Sequence, residues 1–187
     1  EVYMISYNFY NPTNLVFGED TIGKIGNLVA SAGCKKVLII GGGGSIKRNG
    51  VYDQTTQALK KAAIDWVECW GVRANPCLAK VREAIEIAKN ENVDAVLAVG
   101  GGSVIDGVKF ISAAVNFEGD EADILKKLIL FKDVSKVIPF GTVLTLPATG
   151  SEMNSGAVVT IEATQENLTL GGSALFPVFS IVDPTVI

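Results

Sequence analysis

The sequence contains no histidine. Histidine is the usual proton carrier near neutral pH and the commonest metal ligand, so these 187 residues can supply neither role through histidine. Cysteine is scarce as well: Cys34, Cys69 and Cys77 are an odd number and lack CxxC spacing. A disulfide framework or a zinc site is therefore not expected, and the three thiols are predicted to be buried and inert.

Two further absences limit the partners. The net charge is −4 and the sequence has no basic stripe, which argues against nucleic acid as a partner. No uninterrupted apolar run approaches the length of a membrane span, and no signal peptide opens the chain. The sequence therefore predicts a soluble, cytoplasmic protein without a membrane partner.

A large apolar fraction is what the sequence does contain. Apolar residues make up 48% and charged residues 19%, which is enough to bury a core and to leave apolar surface for another domain or subunit. No low-complexity segment divides residues 1–187, so they are predicted to be one α/β domain. Residue 1 is Glu rather than Met, and the chain stops soon after the apolar stretch 178–182. We therefore expect it to be part of a longer protein.

Apolar runs typical of strands alternate with apolar residues at helical spacing. The predicted strands are 36–40, 64–70 and 95–99, and the helices that follow them are 52–62, 81–88 and 104–115. Three β-then-α repeats predict an α/β fold with a Rossmann-like parallel sheet and helices on both faces. Ligands bind such sheets beyond the carboxyl ends of the strands.

Shorter elements are predicted towards the two ends of the chain. The segments 7–10 and 14–17 predict a short β-hairpin. A helix is predicted over 22–29, with Asp20 and Thr21 as capping candidates. Beyond residue 136 the pattern changes to short strand-like pieces at 137–139, 142–146, 157–161 and 178–182.

The predicted strand 95–99 runs into the turn Gly100-Gly101-Gly102, and the helical pattern after it carries Ser103 and, one turn later, Asp106. A glycine turn lets backbone approach a ligand closely, and the first amides of the following helix lie at the positive end of its dipole. The segment therefore predicts an anion cradle for a nucleotide. A tight turn without a ligand is the alternative, and Asp106 can equally anchor the loop.

A second glycine run, Gly41 to Gly44 followed by Ser45, closes an earlier strand of the series. In dinucleotide domains an acidic side chain near such a strand end binds the ribose hydroxyls and repels a 2′-phosphate. No acid is present here, and Lys47 and Arg48 follow. This weakly cationic corner would admit the 2′-phosphate of NADP. A flexible loop is the alternative.

Small hydroxyl side chains surround the proline turn between residues 142 and 152. Thr145, Thr149 and Ser151 are suited to hydrogen-bonding an adenine edge, a ribose or a nicotinamide amide. Local turns and a helix cap would explain them too. Asn75-Pro76 follows the strand that ends near Trp70 and could face the same groove, although its spacing alone indicates only a turn.

Together these segments resemble the amino-terminal nucleotide-binding domain of the iron-containing (group III) alcohol dehydrogenases, and within that family the branch of butanol dehydrogenases and NADP-dependent aldehyde reductases. The resemblance covers essentially every residue from Asn8 to Val186. Its specific parts are the runs 8–13, 42–53, 75–76, 100–106, 146–152 and 182–184.

The resemblance implies a two-domain enzyme. A dehydroquinate synthase-like α/β half would hold NADP or NAD, and a helical half, absent from this chain, would supply Fe²⁺ or Zn²⁺ as a Lewis acid. Hydride would pass between the nicotinamide and a small alcohol or aldehyde such as butanol or butyraldehyde. No catalytic or metal-binding residue carries over to this chain, and the resemblance suggests a homodimer. The implied cofactor contacts are Gly42, Gly43, Gly44, Ser45, Asn75, Gly101, Gly102, Ser103, Asp106, Thr145, Thr149 and Ser151.

Two positions depart from the family pattern. Gly42 stands where members that favour NAD carry Asp, so NADPH is preferred. Asn167 stands where the family usually places a Lys near the nicotinamide ribose. If that alignment holds, one charge-assisted hydrogen bond worth roughly 1.5 to 3 kcal/mol is lost. Asn167-Leu168-Thr169 is also a glycosylation acceptor, which we interpret as accidental.

Two other functions stay open. One is a standalone nucleotide-binding module without catalysis. The other keeps the fold but changes the chemistry to that of the glycerol dehydrogenase or dehydroquinate synthase types. The run 42–53 favours the butanol dehydrogenase branch.

Overall fold

The computed structural model describes residues 6–127 and 129–187, which form a six-stranded sheet, a two-stranded hairpin and helices. The strands of the sheet are β1 (Asn14–Phe17), β2 (Lys36–Gly41), β3 (Asp65–Trp70), β4 (Ala95–Gly101), β5 (Phe140–Leu146) and β8 (Phe179–Val182), and the hairpin is formed by β6 (Ala157–Ile161) and β7 (Glu166–Leu170). The helices are α1 (Ile25–Ser31), α2 (Ser45–Arg48), α3 (Val51–Lys61), α4 (Leu78–Asn90), α5 (Gly102–Ala114) and α6 (Ala122–Lys126). Short 3₁₀ helices lie at Thr21–Lys24, Val134–Lys136, Ser151–Met153 and Ser173–Leu175.

The six strands lie in the order β1-β8-β5-β4-β2-β3, and every neighbouring pair is parallel. Next to the edge strand β3, Ile39 of β2 is paired with Leu97 of β4 on one side and with Glu68 of β3 on the other. The predicted parallel sheet is confirmed. Because all strands point the same way, the loops that follow them meet at one edge of the sheet.

Helices cover both faces of this sheet, as predicted. Side chains alternate between the faces along a strand, so Leu38 and Ile40 pack in one core cluster with α4 and α5. Val37 and Ile39 pack in a second cluster with α1 and α3. The helices predicted over 52–62, 81–88 and 104–115 correspond to α3, α4 and α5, because their apolar residues follow the 3.6-residue period of a face that packs on a sheet.

The predicted amino-terminal hairpin is wrong. Residues 7–10 form no strand, and β1 pairs in parallel with β8 instead. Asn11, in the predicted turn, binds elsewhere: its Nδ2 donates to the Met153 carbonyl at 2.7 Å while its Oδ1 accepts from the Thr13 amide. The real partner of β1 lies more than 160 residues later, which a local pattern could not indicate.

The predicted helix over 22–29 is divided into a 3₁₀ turn and α1. Asp20 has left-handed backbone geometry and makes no side-chain capping bond. Asp183 supplies the anchor from the far end of the chain, because its Oδ2 accepts from the Thr21 amide at 2.8 Å. The expectation that Asp20 and Thr21 cap this helix through their own side chains is therefore wrong.

The later strands also differ in their bounds. Residues 137–139 form no strand, and β5 begins at Phe140 rather than at residue 142. The pieces 157–161 and 178–182 are confirmed as β6 and β8, and β7 is an additional strand that pairs antiparallel with β6. Among the described residues no helix is both long and apolar enough to cross a membrane.

The three thiols are free in the described chain. Cys34 and Cys69 are buried as predicted, whereas Cys77 is only partly buried. Burial raises the pKa of each thiol above its ordinary value, which keeps them protonated and poorly reactive near neutral pH.

Candidate functional site

The carboxyl end of β4 leads directly into α5, the 13-residue helix that carries the predicted anion cradle. Gly101 is the extended residue before the helix, and no side chain caps its first turn. The first amides of α5 therefore have neither intrahelical partners nor a capping oxygen, the state in which a helix end binds an anion. Gly102 and Ser103 are half-buried in this first turn.

The glycine at 102 allows the loop after β5 to approach this helix end. A Cβ placed at Gly102 would lie 2.2 Å from Oγ1 of Thr149. The two predicted segments therefore meet, and there is no room between them for a side chain. A register shift between β4 and β5 leaves Thr145 as the extra residue opposite the step from Gly100 to Gly101. Such a bulge re-aims a side chain, and it sets Thr145 beside the glycine turn.

A chain of hydrogen bonds holds the Thr149 loop on α5. Asp106 Oδ1 accepts from the Ser151 hydroxyl at 2.8 Å, and the Ser151 and Thr149 hydroxyls lie 2.8 Å apart. Asp106 Oδ2 accepts from the Val158 amide at 3.1 Å, which ties β6 to the same helix. Ser151 is buried, so Asp106 and Ser151 anchor this loop, whereas Thr149 is exposed beside the glycine turn.

Lys109, one turn after Asp106 on α5, was not predicted from the sequence as part of this region. Its ammonium donates to Asn154 Oδ1 at 2.8 Å and to the Gly156 carbonyl at 2.7 Å, and the side chain is fully buried. Burial lowers the pKa of Lys109 to about 8, although Asp106 and Glu152 act in the opposite direction. A lysine in an otherwise apolar helix face was the available signal.

The Asn75-Pro76 turn lies against the same helix. Asn75 is exposed and has left-handed backbone geometry, with a φ of 57°. Pro76 is buried, and its Cβ would lie 3.4 Å from a Cβ placed at Gly107 of α5. The turn is therefore held next to the helix that begins at the glycine loop.

The corner after β2 adjoins this region. A Cβ placed at Gly42 would lie 3.8 Å from Cγ2 of Val104, in the first turn of α5, so the two glycine loops are neighbours. Gly43 and Gly44 face open space. Ser45 begins the four-residue helix α2. Gly42, Gly43, Gly44, Lys47, Trp70 and Gly71 line an open recess of about 320 Å³ at this corner.

The Trp70 ring forms one side of the recess, with Tyr52 packed against it, and neither was predicted from the sequence. Lys47 Nζ lies 4.1 Å from the ring centroid of Trp70 and 5.1 Å from that of Tyr52. Behind the rings, Glu68 accepts from the Tyr52 hydroxyl, from Trp70 Nε1 at 2.7 Å and from Trp66 Nε1 at 3.3 Å. The alternation of residues 66, 68 and 70 on one face of β3 was the signal.

These contacts shift two ionisation equilibria. Burial alone would raise the pKa of the Glu68 carboxyl, but the hydrogen bonds from Tyr52, Trp70 and Trp66 outweigh it and lower that pKa. The hydrogen bond to Glu68 raises the pKa of Tyr52 to about 12. Glu68 is therefore a carboxylate and Tyr52 a neutral phenol near neutral pH.

The part of the chain that the structure describes contains no group of three or more Asp, Glu, Cys or His side chains placed to hold a metal ion. Asn167 lies on β7, where its Oδ1 accepts from the Thr160 hydroxyl across the hairpin at 2.7 Å. The arrangement at the carboxyl edge of the sheet thus fits an extended anionic ligand, held mainly by backbone amides and hydroxyls.

Comparisons with known proteins agree with this geometry. The family model described as "Iron-containing alcohol dehydrogenase" matches residues 12–184. The chain is 46% identical over 181 residues to "Probable NADH-dependent butanol dehydrogenase 1" of Bacillus subtilis, covering 97% of this chain and 46% of that protein. It is 39% identical over 183 residues to "NADPH-dependent aldehyde reductase YqhD" of Escherichia coli, again covering 97% and 46%.

Among solved structures, the NADH-dependent butanol dehydrogenase A from Thermotoga maritima superposes with a TM-score of 0.90 at 50% identity. The match covers 100% of this chain and 46% of that one. The chain therefore spans just under half the length of these relatives.

Proposed function

This chain belongs to the family of iron-containing alcohol dehydrogenases, and from that premise we propose that it is the nucleotide-binding part of an NAD(P)-dependent alcohol dehydrogenase or aldehyde reductase. The observation that carries the proposal is the uncapped amino terminus of α5, at the end of a central parallel strand and against the Thr149 loop. Relatives named for this chemistry match the chain almost from end to end.

The residues of this edge fit a dinucleotide. Gly101, Gly102 and the amide of Ser103 would hold the pyrophosphate at the end of α5. Thr145 and Thr149, beside the glycine turn, would hydrogen-bond the adenine or nicotinamide side. Gly42 to Ser45 would contact the adenosine ribose and Asn75 would lie near the adenosine. Asp106 and Ser151 would not contact the cofactor directly; they would hold the loop that carries Thr149 in place.

A bound nicotinamide cofactor would supply the chemistry, which is hydride transfer to the carbonyl carbon of a small aldehyde such as butyraldehyde, or from the hydroxyl-bearing carbon of an alcohol such as butanol. The task of this chain is to orient the cofactor. Fe²⁺ or Zn²⁺, which the resemblance implies for the full-length enzyme, does not fit these residues, because the described part offers no ligand cluster and the sequence has no histidine.

The cofactor preference is the finer part of the proposal. The relatives include enzymes named for NADH and others named for NADPH or NADP, so the family alone does not decide it. Gly42 carries no charge that would repel a 2′-phosphate, and the recess beside it contains the ammonium of Lys47. We propose that NADPH is accepted here at least as well as NADH.

Partners and location also belong to the proposal. The small alcohol or aldehyde is the expected substrate, with no nucleic acid or membrane partner and with a cytoplasmic location. A homodimer or a further domain is supported by large apolar side chains that are exposed near the edge strand β1. They are Tyr7, Phe9, Tyr10, Leu15 and Phe17.

Titration calorimetry with NADPH and NADH tests the proposal on the wild type, Gly102→Ala and the control Gly23→Ala. A methyl group at residue 102 collides with Thr149, whereas residue 23 has open space around it. We expect wild type and G23A to bind alike and G102A to bind at least tenfold more weakly. Failure of the wild type to bind either nucleotide would refute the proposed function.

A further inference from the structure

Lys47 lies at the recess without a carboxylate partner among the ion pairs of the described residues. Its ammonium is held against the faces of Trp70 and Tyr52, within the distance at which a cation is attracted to a ring. A free lysine side chain samples many rotamers. The two rings restrict this one to the wall of the corner.

The rings are themselves fixed from behind. Trp70 and Tyr52 meet edge to face with centroids 5.7 Å apart, and both donate to the carboxylate of Glu68. Gly41 allows this placement, because a Cβ there would lie 2.2 Å from the Trp70 ring. The indole therefore lies across the end of β2, where it reaches the recess instead of turning to solvent.

We propose that Glu68 is a positioning residue for cofactor specificity: through Trp70 and Tyr52 it holds the Lys47 ammonium in the recess, where that ammonium pairs with the phosphomonoester on the adenosine ribose of NADP(H). This inference rests on the proposed function and deepens it. Lys47 touches the ligand, whereas Glu68 acts through the rings.

The sign of the effect makes the inference testable. Glu68 is negative, so if it acted only by its charge, its removal would make the corner more cationic and NADPH would bind more tightly. If it acts by positioning, its removal releases both rings and the lysine, and NADPH binds more weakly. NADH lacks the 2′-phosphate, so a change in its affinity would show that a variant has altered other parts of the binding site.

The experiment is calorimetric titration of the purified protein with NADPH, NADH and adenosine 2′-monophosphate, for the variants Glu68→Ala, Lys47→Ala and their combination. We expect E68A to raise the Kd for NADPH and for adenosine 2′-monophosphate at least fivefold, with the Kd for NADH changed less than twofold. In the K47A background we expect E68A to leave the Kd for NADPH unchanged. Glu68 acts through Lys47 in this proposal, and the effects of residues coupled in this way do not add.

Two controls keep the result interpretable. Lys60→Ala removes an exposed cation from α3 and should leave the ratio of the two affinities unchanged. Trp70→Phe keeps a ring but removes the donor to Glu68, so it should show part of the E68A effect. It takes the place of E68A in the test if E68A does not fold. The inference would be overturned if the wild type bound both nucleotides and E68A bound NADPH equally well or more tightly. If the wild type bound neither nucleotide, the proposed function itself would be overturned.

Discussion

Lys109 illustrates at the residue scale how burial changes a side chain's ionisation. Burial lowers its pKa from 10.5 to about 8. Between these two values the unfolded chain binds more protons than the folded one, and the free energy of unfolding therefore rises with pH in that window. Below about pH 8 Lys109 is protonated in both the folded and the unfolded chain, so it adds no pH dependence to the free energy of unfolding.

Lys109→Met isolates this contribution. We expect the wild type to gain stability relative to K109M as pH rises from about 8 to about 10.5, by up to roughly 3 kcal/mol at 1.36 kcal/mol per pKa unit. Urea unfolding across this range measures the difference, with Lys60→Met as the exposed control. A difference that stays flat with pH would show that Lys109 titrates normally.

The neutral Gly42 corner supports a second prediction at this scale. Gly42→Asp should weaken NADPH relative to NADH at least tenfold, about 1.4 kcal/mol, because a carboxylate would repel the 2′-phosphate. A side chain here is tight, since a Cβ would lie 3.3 Å from the Val72 carbonyl. Gly42→Asn is therefore the matched control, and equal affinity ratios for the two variants would place the phosphate elsewhere.

At the scale of elements, α5 joins the proposed anion cradle to the neighbouring loop, because the helix has an uncapped amino terminus and also carries the anchor of that loop. Asp106→Ala removes the acceptor for the Ser151 hydroxyl and the Val158 amide. We expect a loss of about 1 to 3 kcal/mol in stability and at least tenfold faster amide exchange from residues 149–158.

Hydrogen–deuterium exchange checks this, with Asp106→Asn as the control because it keeps one acceptor oxygen. Exchange in β2 serves as the internal reference and should follow only the change in global stability. Unaltered protection of Val158 in D106A would mean that β6 is held on α5 by other contacts.

The same elements show what the sequence could predict. The strands β2 and β4 and the helices α3 to α5 have local signatures, since each repeats apolar residues at its own period. The glycine loops were found because they follow these strands directly. The pairing of β1 with β8, the anchor from Asp183 and the contacts of Tyr52 and Lys47 with β3 could not be found in this way, because each joins residues that only the folded chain brings together.

At the scale of the whole molecule, the exposed apolar residues are unevenly distributed. Tyr7, Phe9, Tyr10 and Phe17 are each more than two-thirds exposed near the edge strand β1. Leu146 is 65% exposed at the carboxyl end of β5, next to the glycine turn. Apolar surface of this kind normally lies against another part of a protein, which supports a further domain or a second subunit as the proposed partner of this surface.

A final prediction concerns a polypeptide made of residues 1–187 only. It should bind NADPH, because the anion cradle, the Thr149 loop and the recess are all within it. It should not oxidise butanol or reduce butyraldehyde, even with added Fe²⁺ or Zn²⁺, because the described residues contain no metal-binding cluster. Calorimetry verifies cofactor binding and folding in the same preparation, and absorbance of the reduced nicotinamide follows turnover. Measurable turnover by material whose mass shows that it ends at Ile187 would mean that the catalytic groups lie within this chain, and the division of labour proposed here would then be wrong.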